Sequence, residues 1–358
     1  MDCDALEASA REQLTQLAYD YYAGGADDEI TLAENVAAWR RIRLRPRVLR
    51  DVSAIDTATT VLGTAVTAPV LVAPTAYQRL AHDEGERATA RGTAAAGTLL
   101  IVSTLATTRL EDVATAAPDG VRWMQMYLQR DRSVSAELVA RAVAADYRAL
   151  VLTVDLPVAG LRRRDERNGF TLPPGLSLAN LGITHPDMPM GGSALAAHVR
   201  QDFTAAITFD DIGWLAEISG LPVVVKGVLR GDDAAAAVAA GAAAVVVSNH
   251  GGRQLDGAIA TAEALPEVLD AVGDRAEVYV DGGIRGGTDV LKALAAGARA
   301  VLLGRPVIWG LATGGAPGVQ AVLDGFVDEL ARAMALCGAA DIAALTADLL
   351  APTDLKRF

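Results

Sequence analysis

Eight short apolar runs recur along the chain, at residues 70–74, 99–103, 123–127, 149–155, 222–226, 244–248, 278–281 and 300–304. Seven alanine-rich stretches with helical spacing follow most of them, at 84–96, 110–116, 134–145, 210–218, 232–240, 262–272 and 288–296. Strands covered on both faces read as continuous apolar runs, and intervening helices make them parallel. Eight such units in 358 residues predict a (β/α)8 TIM barrel. An open doubly wound sheet is the alternative; no Gly-x-Gly-x-x-Gly follows the first run to support it.

Polar residues gather where these runs end: Thr75, Ser103, Gln125, Tyr127, Thr153, Asp155, Lys226, Ser248, His250, Asp281 and Arg305. That end is the catalytic face of a TIM barrel. Two segments depart from the repeat. Residues 1–60 predict an N-terminal helical extension, with helices near 6–19 and 29–40 and a basic connector at 40–50. Residues 156–206 form an insertion after the fourth strand, rich in proline and glycine, which predicts a partly mobile lid over the barrel mouth. The whole chain, 1–358, reads as one domain.

The strand ends suggest three kinds of chemistry. Asp281-Gly282-Gly283-Ile284-Arg285 follows the seventh run and Gly304-Arg305 the eighth. Bare backbone amides at a helix start favour a phosphate, and two arginines add charge. Pro74, Thr75 and Ala76 would lie against the edge of a flat ring, with Ser103, Gln125 and Thr153 offering it hydrogen bonds. Lys226 would stabilise negative charge there, or form an ion pair with a neighbouring carboxylate. Arg162 and Arg253 could grip a carboxylate, although the run Arg162-Arg163-Arg164 leaves the register open by a residue. His250 is the candidate base and Asp155 its orienting acid.

The segment Ser248-Asn249-His250-Gly251-Gly252-Arg253-Gln254-Leu255-Asp256-Gly257 resembles the signature of the FMN-dependent 2-hydroxy acid oxidase and dehydrogenase family. The resemblance runs from about Leu14 to Leu336 and includes Leu32-Ala33-Glu34-Asn35, Ala73-Pro74-Thr75-Ala76, Thr153-Val154-Asp155 and Asp281-Gly282-Gly283. It implies FMN as cofactor. It places Pro74, Thr75, Ala76, Ser103, Gln125, Thr153, Lys226, Ser248, Asp281, Gly282, Gly283, Arg285, Gly304 and Arg305 around that cofactor. It gives catalytic roles to His250, Asp155 and Tyr127, and substrate contacts to Tyr21, Tyr127, Arg162, Arg253 and Leu105. Tyr21 would not stand out without it.

Two residues carry the finer expectation. Ala76 matches the family's oxidases, which implies oxygen as acceptor and hydrogen peroxide as product; a soluble dehydrogenase using a quinone or carrier is the alternative. Leu105 stands where glycolate oxidase has tryptophan, and Tyr77 and Met126 are expected to line the space so opened. The implied substrate is an aromatic (S)-2-hydroxy acid, mandelate or 4-hydroxymandelate as in the bacterial 4-hydroxymandelate oxidases; long or branched aliphatic acids would also fit. A flavin-binding module without turnover, or an FMN barrel acting on a phosphorylated substrate, leaves the His250–Arg253 pair unexplained.

Charge and composition narrow the partners. A formal net charge of −12 argues against nucleic acid and anionic membrane surfaces. No apolar stretch is long enough to span a bilayer, and the acidic start of the chain is unlike a secretory leader. Cys3 and Cys337 form neither a disulfide framework nor a metal spacing, so no metal is expected. The family resemblance implies a cytoplasmic homotetramer.

Overall fold

A computed structural model describes residues 1–182 and 201–352. Eight parallel strands close into a barrel: β3 (Val70–Val72), β4 (Leu99–Val102), β5 (Val121–Met126), β6 (Leu150–Thr153), β7 (Val223–Val228), β8 (Ala244–Val247), β9 (Glu277–Val280) and β10 (Ala300–Leu303). Their order around the barrel follows the sequence, and β10 pairs with β3 to close it. The alternation along each strand divides two cores. Leu71, Leu99, Ile101, Trp123, Val151, Val224, Val246, Tyr279 and Leu302 fill the barrel interior. Their neighbours Val72, Leu100, Val102, Leu152, Val225 and Val247 face the helices.

The helices outside the barrel are α4 (Gly85–Ala95), α5 (Leu110–Ala116), α6 (Arg132–Ala144), α7 (Arg163–Asn168), α8 (Asp210–Ser219), α9 (Gly231–Ala239), α10 (Thr261–Val272), α11 (Gly287–Ala296) and α12 (Arg305–Cys337). All seven expected helices occur within two residues of their predicted ends. The long α12 was not expected; it bends at Gly315 (φ 56°), two residues before Pro317. A small hairpin, β1 (Thr59–Val61) and β2 (Thr64–Val66), was also missed. It puts Val61 and Val66 against the barrel's interior core, and the Leu62 amide donates to the Glu277 carboxylate.

The extension corrects one expectation. The helix expected over 6–19 is two helices, α1 (Cys3–Gln13) and α2 (Gln16–Ala23), because the chain is extended at Leu14 and Thr15 caps the second through the Ala18 amide. The third helix, α3 (Ile30–Arg41), lies across two of the catalytic-face loops. Trp39 Nε1 donates to the Gly282 carbonyl at 2.8 Å, and Asn35 bonds to Asn249. The basic connector is more than solvated chain: the Arg45 amide donates to Leu349 O and the Arg47 amide to Cys337 O.

The insertion after β6 is in part a packed structure. It carries α7 and buries Phe170, Leu172 and Leu178. Phe203, on its returning arm, stacks on Tyr127 with ring centroids 4.9 Å apart. The expected lid's middle portion, 183–200, lies outside the described residues.

Candidate active site

The strand ends open on one cavity that reaches from β9 and β10 across to α7. Its first end suits an anion. Gly282 (φ 88°) and Gly283 (φ 81°) turn the chain after β9, and Gly304 precedes the first turn of α12. Arg285 and Arg305 join them in the wall. Three of the five Arg305 N–H donors go to backbone: its Nε donates to Tyr22 O at 2.9 Å, and its two terminal nitrogens donate one bond each, to Gly251 O at 3.0 Å and Gly24 O at 2.9 Å. Burial pushes its pKa well below the ordinary arginine value, and repulsion from Arg253 and Arg285 adds to this. A phosphate would supply the anion that this set of buried cations lacks.

The middle of the cavity is bounded by Pro74, Thr75, Ala76, Ser103, Thr153 and Lys226. Gln125 adjoins Ser103, and Ser248, expected beside them, stands behind Lys226. Gln125 Oε1 accepts from Ser103 Oγ at 3.3 Å and from the Thr104 amide at 3.0 Å. Ser248 Oγ accepts from Lys226 Nζ at 2.8 Å and from the His250 amide at 3.1 Å. Both alternatives for Lys226 coexist, because it lines the cavity and also pairs with Asp281 at 3.0 Å. Burial lowers the lysine's pKa, but Asp281 and Asp155 outweigh it and hold the ammonium charged.

Whether a flavin fits can be tested on unmet hydrogen bonds. Gln125 Nε2 and Thr153 Oγ1 are buried without a partner among the described residues. Buried donors are nearly always satisfied in a folded protein. A flat heteroaromatic ring with carbonyl and nitrogen acceptors between these strand ends would satisfy them, and the glycines after β9 and β10 leave room for its phosphate. The residues present fit FMN.

At the far end His250 Nδ1 lies 2.8 Å from Asp155 Oδ1. Burial would raise the Asp155 carboxyl, but His250 and Lys226 draw it below its ordinary value, so it is an anion and only accepts. The imidazole proton therefore sits on Nδ1, leaving Nε2 as a free lone pair on a ring that lines the cavity. Burial also lowers the His250 pKa despite Asp155, so the ring is neutral near pH 7. Gly227 (φ 112°), at a bulge in β7, makes room for this acid: a Cβ there would lie 2.6 Å from Asp155 Cβ.

Arg162 lines the cavity, whereas its neighbours pair outside it, Arg164 with Glu29 at 2.5 Å and Arg163 with Asp27 at 3.5 Å. Of the three arginines in the run, Arg162 is the one placed at the cavity. Arg162 Nε and one terminal nitrogen are buried without hydrogen-bond partners among the described residues, and Asp165 is 4.0 Å away. Arg253 is less free: it donates to Tyr21 O at 2.6 Å and Gly24 O at 2.8 Å and stacks over the Tyr21 ring at 4.9 Å. Burial, with Arg162 close by, lowers its pKa to about 10.

Tyr21, Tyr127 and Leu105 complete this end as expected. Tyr77 and Met126 do not line it. Met126 follows the alternation of β5, which sends Trp123 and Gln125 inward and Met124 and Met126 out to the helices. Tyr77 is packed behind Tyr21 and Phe170, at ring distances of 5.3 and 6.1 Å. In their place Tyr22 and Leu156 line the cavity. Tyr22 adjoins a residue already singled out; Leu156 carries no signal beyond following Asp155. Among the described residues no group of histidines, cysteines and carboxylates could hold a metal ion, and no helix is long and apolar enough to cross a membrane.

Comparison with known proteins agrees with this geometry. Residues 10–352 match the profile of the FMN-dependent dehydrogenase family. The chain is 54% identical to an L-lactate oxidase of Nostoc sp. over 94% of each chain. It is 46% identical to human 2-hydroxyacid oxidase 1, covering 94% of this chain and 92% of that one. A crystal structure of mandelate oxidase with (S)-4-hydroxymandelic acid superposes with a TM-score of 0.93, at 43% identity over 98% of both chains.

Proposed function

The chain belongs to the FMN-dependent dehydrogenase family, and from that premise we propose that it oxidises an (S)-2-hydroxy acid, mandelate or 4-hydroxymandelate, with oxygen as acceptor. One 2-hydroxy acid and one oxygen molecule give one 2-oxo acid and one hydrogen peroxide. Bound FMN supplies the two-electron acceptor. The observation that carries the reading is that His250, paired with Asp155, and Arg162, with two nitrogens unpartnered among the described residues, line the same cavity that fits FMN.

Each side chain then has a role set by its surroundings. Arg162, and Arg253 beside it, hold the substrate carboxylate. His250 takes the proton released as the alcohol becomes a ketone, and the ionised Asp155 stabilises the imidazolium. Tyr21 and Tyr127 flank the substrate, and burial keeps both phenols protonated, hence able to donate. Gln125, Thr153, Ser103 and Lys226 bind the ring of FMN, with Lys226 opposing negative charge on it. Gly282, Gly283, Gly304, Arg285 and Arg305 bind its phosphate. Leu105 and Leu156 give the substrate end an apolar wall, which suits an aromatic ring.

A second reading has its own support: the relative that shares 54% identity is an L-lactate oxidase, and lactate needs less of that wall. Anaerobic spectra decide between them. With (S)-4-hydroxymandelate the flavin is expected to bleach faster than with L-lactate at equal concentration, and to recover on admission of air with peroxide formed. Faster bleaching by lactate would reverse the choice of substrate. Recovery only with a quinone would reject oxygen as acceptor.

Arg162→Met tests the carboxylate site. A charged hydrogen bond is worth about 1.5–3 kcal/mol, so binding of the 2-oxo acid, read from the flavin spectrum, is expected to weaken by roughly 10- to 100-fold. Arg162 is the better target because Arg253 also holds the Tyr21 and Gly24 carbonyls. Unchanged binding would remove Arg162 from the site.

A further inference from the structure

His250 has a backbone that its residue type disfavours, with φ at 58° in the left-handed region. Gly251 and Gly252 continue that turn at φ 65° and 73°. A non-glycine residue stays there only when its surroundings over-determine it. Those surroundings come from 214 residues away. Asn35, on α3, and Asn249, just before His250, exchange two amide hydrogen bonds, each 2.8 Å long. Both side chains are almost completely buried.

The pair makes three further bonds, all to the chain after β8. Asn249 Oδ1 also accepts from the Gly252 amide at 3.1 Å, which closes the turn around His250. Asn249 Nδ2 also donates to Ile259 O at 3.1 Å, and Asn35 Oδ1 accepts from the Thr261 amide at 3.2 Å. Gly252 packs so closely on α3 that a Cβ would lie 2.6 Å from the Leu32 amide nitrogen. The turn that presents the imidazole is thus fastened to the N-terminal extension, outside the barrel itself.

We propose that Asn35 is a positioning residue for catalysis: through Asn249 it holds His250 in the strained turn that aims Nε2 at the substrate and keeps Nδ1 on Asp155. This rests on His250 being the base. The carboxylate site is anchored separately. Arg162 belongs to another loop, and Arg253 is tied to the Tyr21 and Gly24 carbonyls. Loss of the amide pair should therefore damage proton transfer and spare carboxylate binding.

The test uses FMN-loaded Asn35→Ala, with Asn35→Ser as a second, milder variant should the first fold poorly. At saturating substrate, flavin reduction per bound FMN is expected to slow by roughly 10- to 100-fold, while the dissociation constant of the 2-oxo acid changes less than about threefold. A merely structural role would lower the melting temperature and leave the rate per bound FMN untouched; that result in either variant would overturn the proposal. So would equal losses in rate and in carboxylate binding. His250→Ala, measured alongside, separates the two ideas. Normal reduction in that variant rejects the base itself, whereas a dead His250→Ala beside a fully active Asn35→Ala rejects only the fastening.

Discussion

His250→Ala is expected to keep its bound FMN and to lose substrate-driven reduction by about 10²- to 10⁴-fold, the usual share of a general base. The flavin should stay because the residues proposed to bind ring and phosphate belong to other strand ends. The fold should survive as well: the Asp155 carboxylate loses its imidazole partner but retains the field of Lys226. A pH profile sharpens the expectation. Burial lowers the His250 pKa, so its basic, neutral form persists until the pH falls below the ordinary histidine range. In the wild type kcat/KM should be level at neutral pH and decline only below that range, as the ring gains its proton. The variant should lack this acid limb. Stopped-flow reduction at the wild-type rate, or a variant that keeps the same limb, would rule out His250 as the base.

Gly283→Ala should fail in a different way, by losing FMN and stability together. A Cβ at Gly283 would stand 2.1 Å from Asn35 O, 2.3 Å from the carbonyl carbon and 2.8 Å from the Val36 nitrogen. All three are backbone atoms of α3, so no rotamer change relieves the overlap. Either α3 lifts away or the loop after β9 retreats into the proposed phosphate site. Overlap of this kind, added to a φ of 81°, is expected to cost on the order of 3–5 kcal/mol. Gly257→Ala is the control: Gly257 has nearly the same φ, 82°, with nothing within 4 Å of the added Cβ. It should cost only about 1–2 kcal/mol. Flavin content after gel filtration and the melting temperature report both effects. If the two variants match in each, close packing of α3 on this loop has no role in holding the cofactor.

The local signals in the chain were strong where the physics is local. Hydrophobic runs and helical spacing depend on neighbours a few positions away, and they located all eight strands and seven helices. The same reading failed where the signal was weak or split. The break at Leu14 was hidden because no glycine or proline marks it, and the three-residue strands β1 and β2 are too short to show a period. Met126 was misplaced although strand alternation could have turned it outward, since Gln125 beside it faces in. Tyr77 was not legible at all: it takes a left-handed backbone (φ 60°) and packs at a tilt against rings from two other segments.

By itself, then, the sequence determined the barrel, the face that carries the chemistry, and the identity of nearly all the polar residues gathered there. In a closed parallel barrel every strand's carboxyl end points the same way, so residues placed at strand ends must converge. Only the tertiary structure decided how they divide the work. His250 meets Asp155 across 95 positions, and Asn35 meets Asn249 across 214. Arg162 keeps two nitrogens without partners among the described residues, while Arg253 and Arg305 both donate to carbonyls of the N-terminal extension. Those outcomes turn on hydrogen bonds a few ångströms long between distant segments. No pattern along the chain encodes such bonds, because they exist only once packing has brought both partners to the same place.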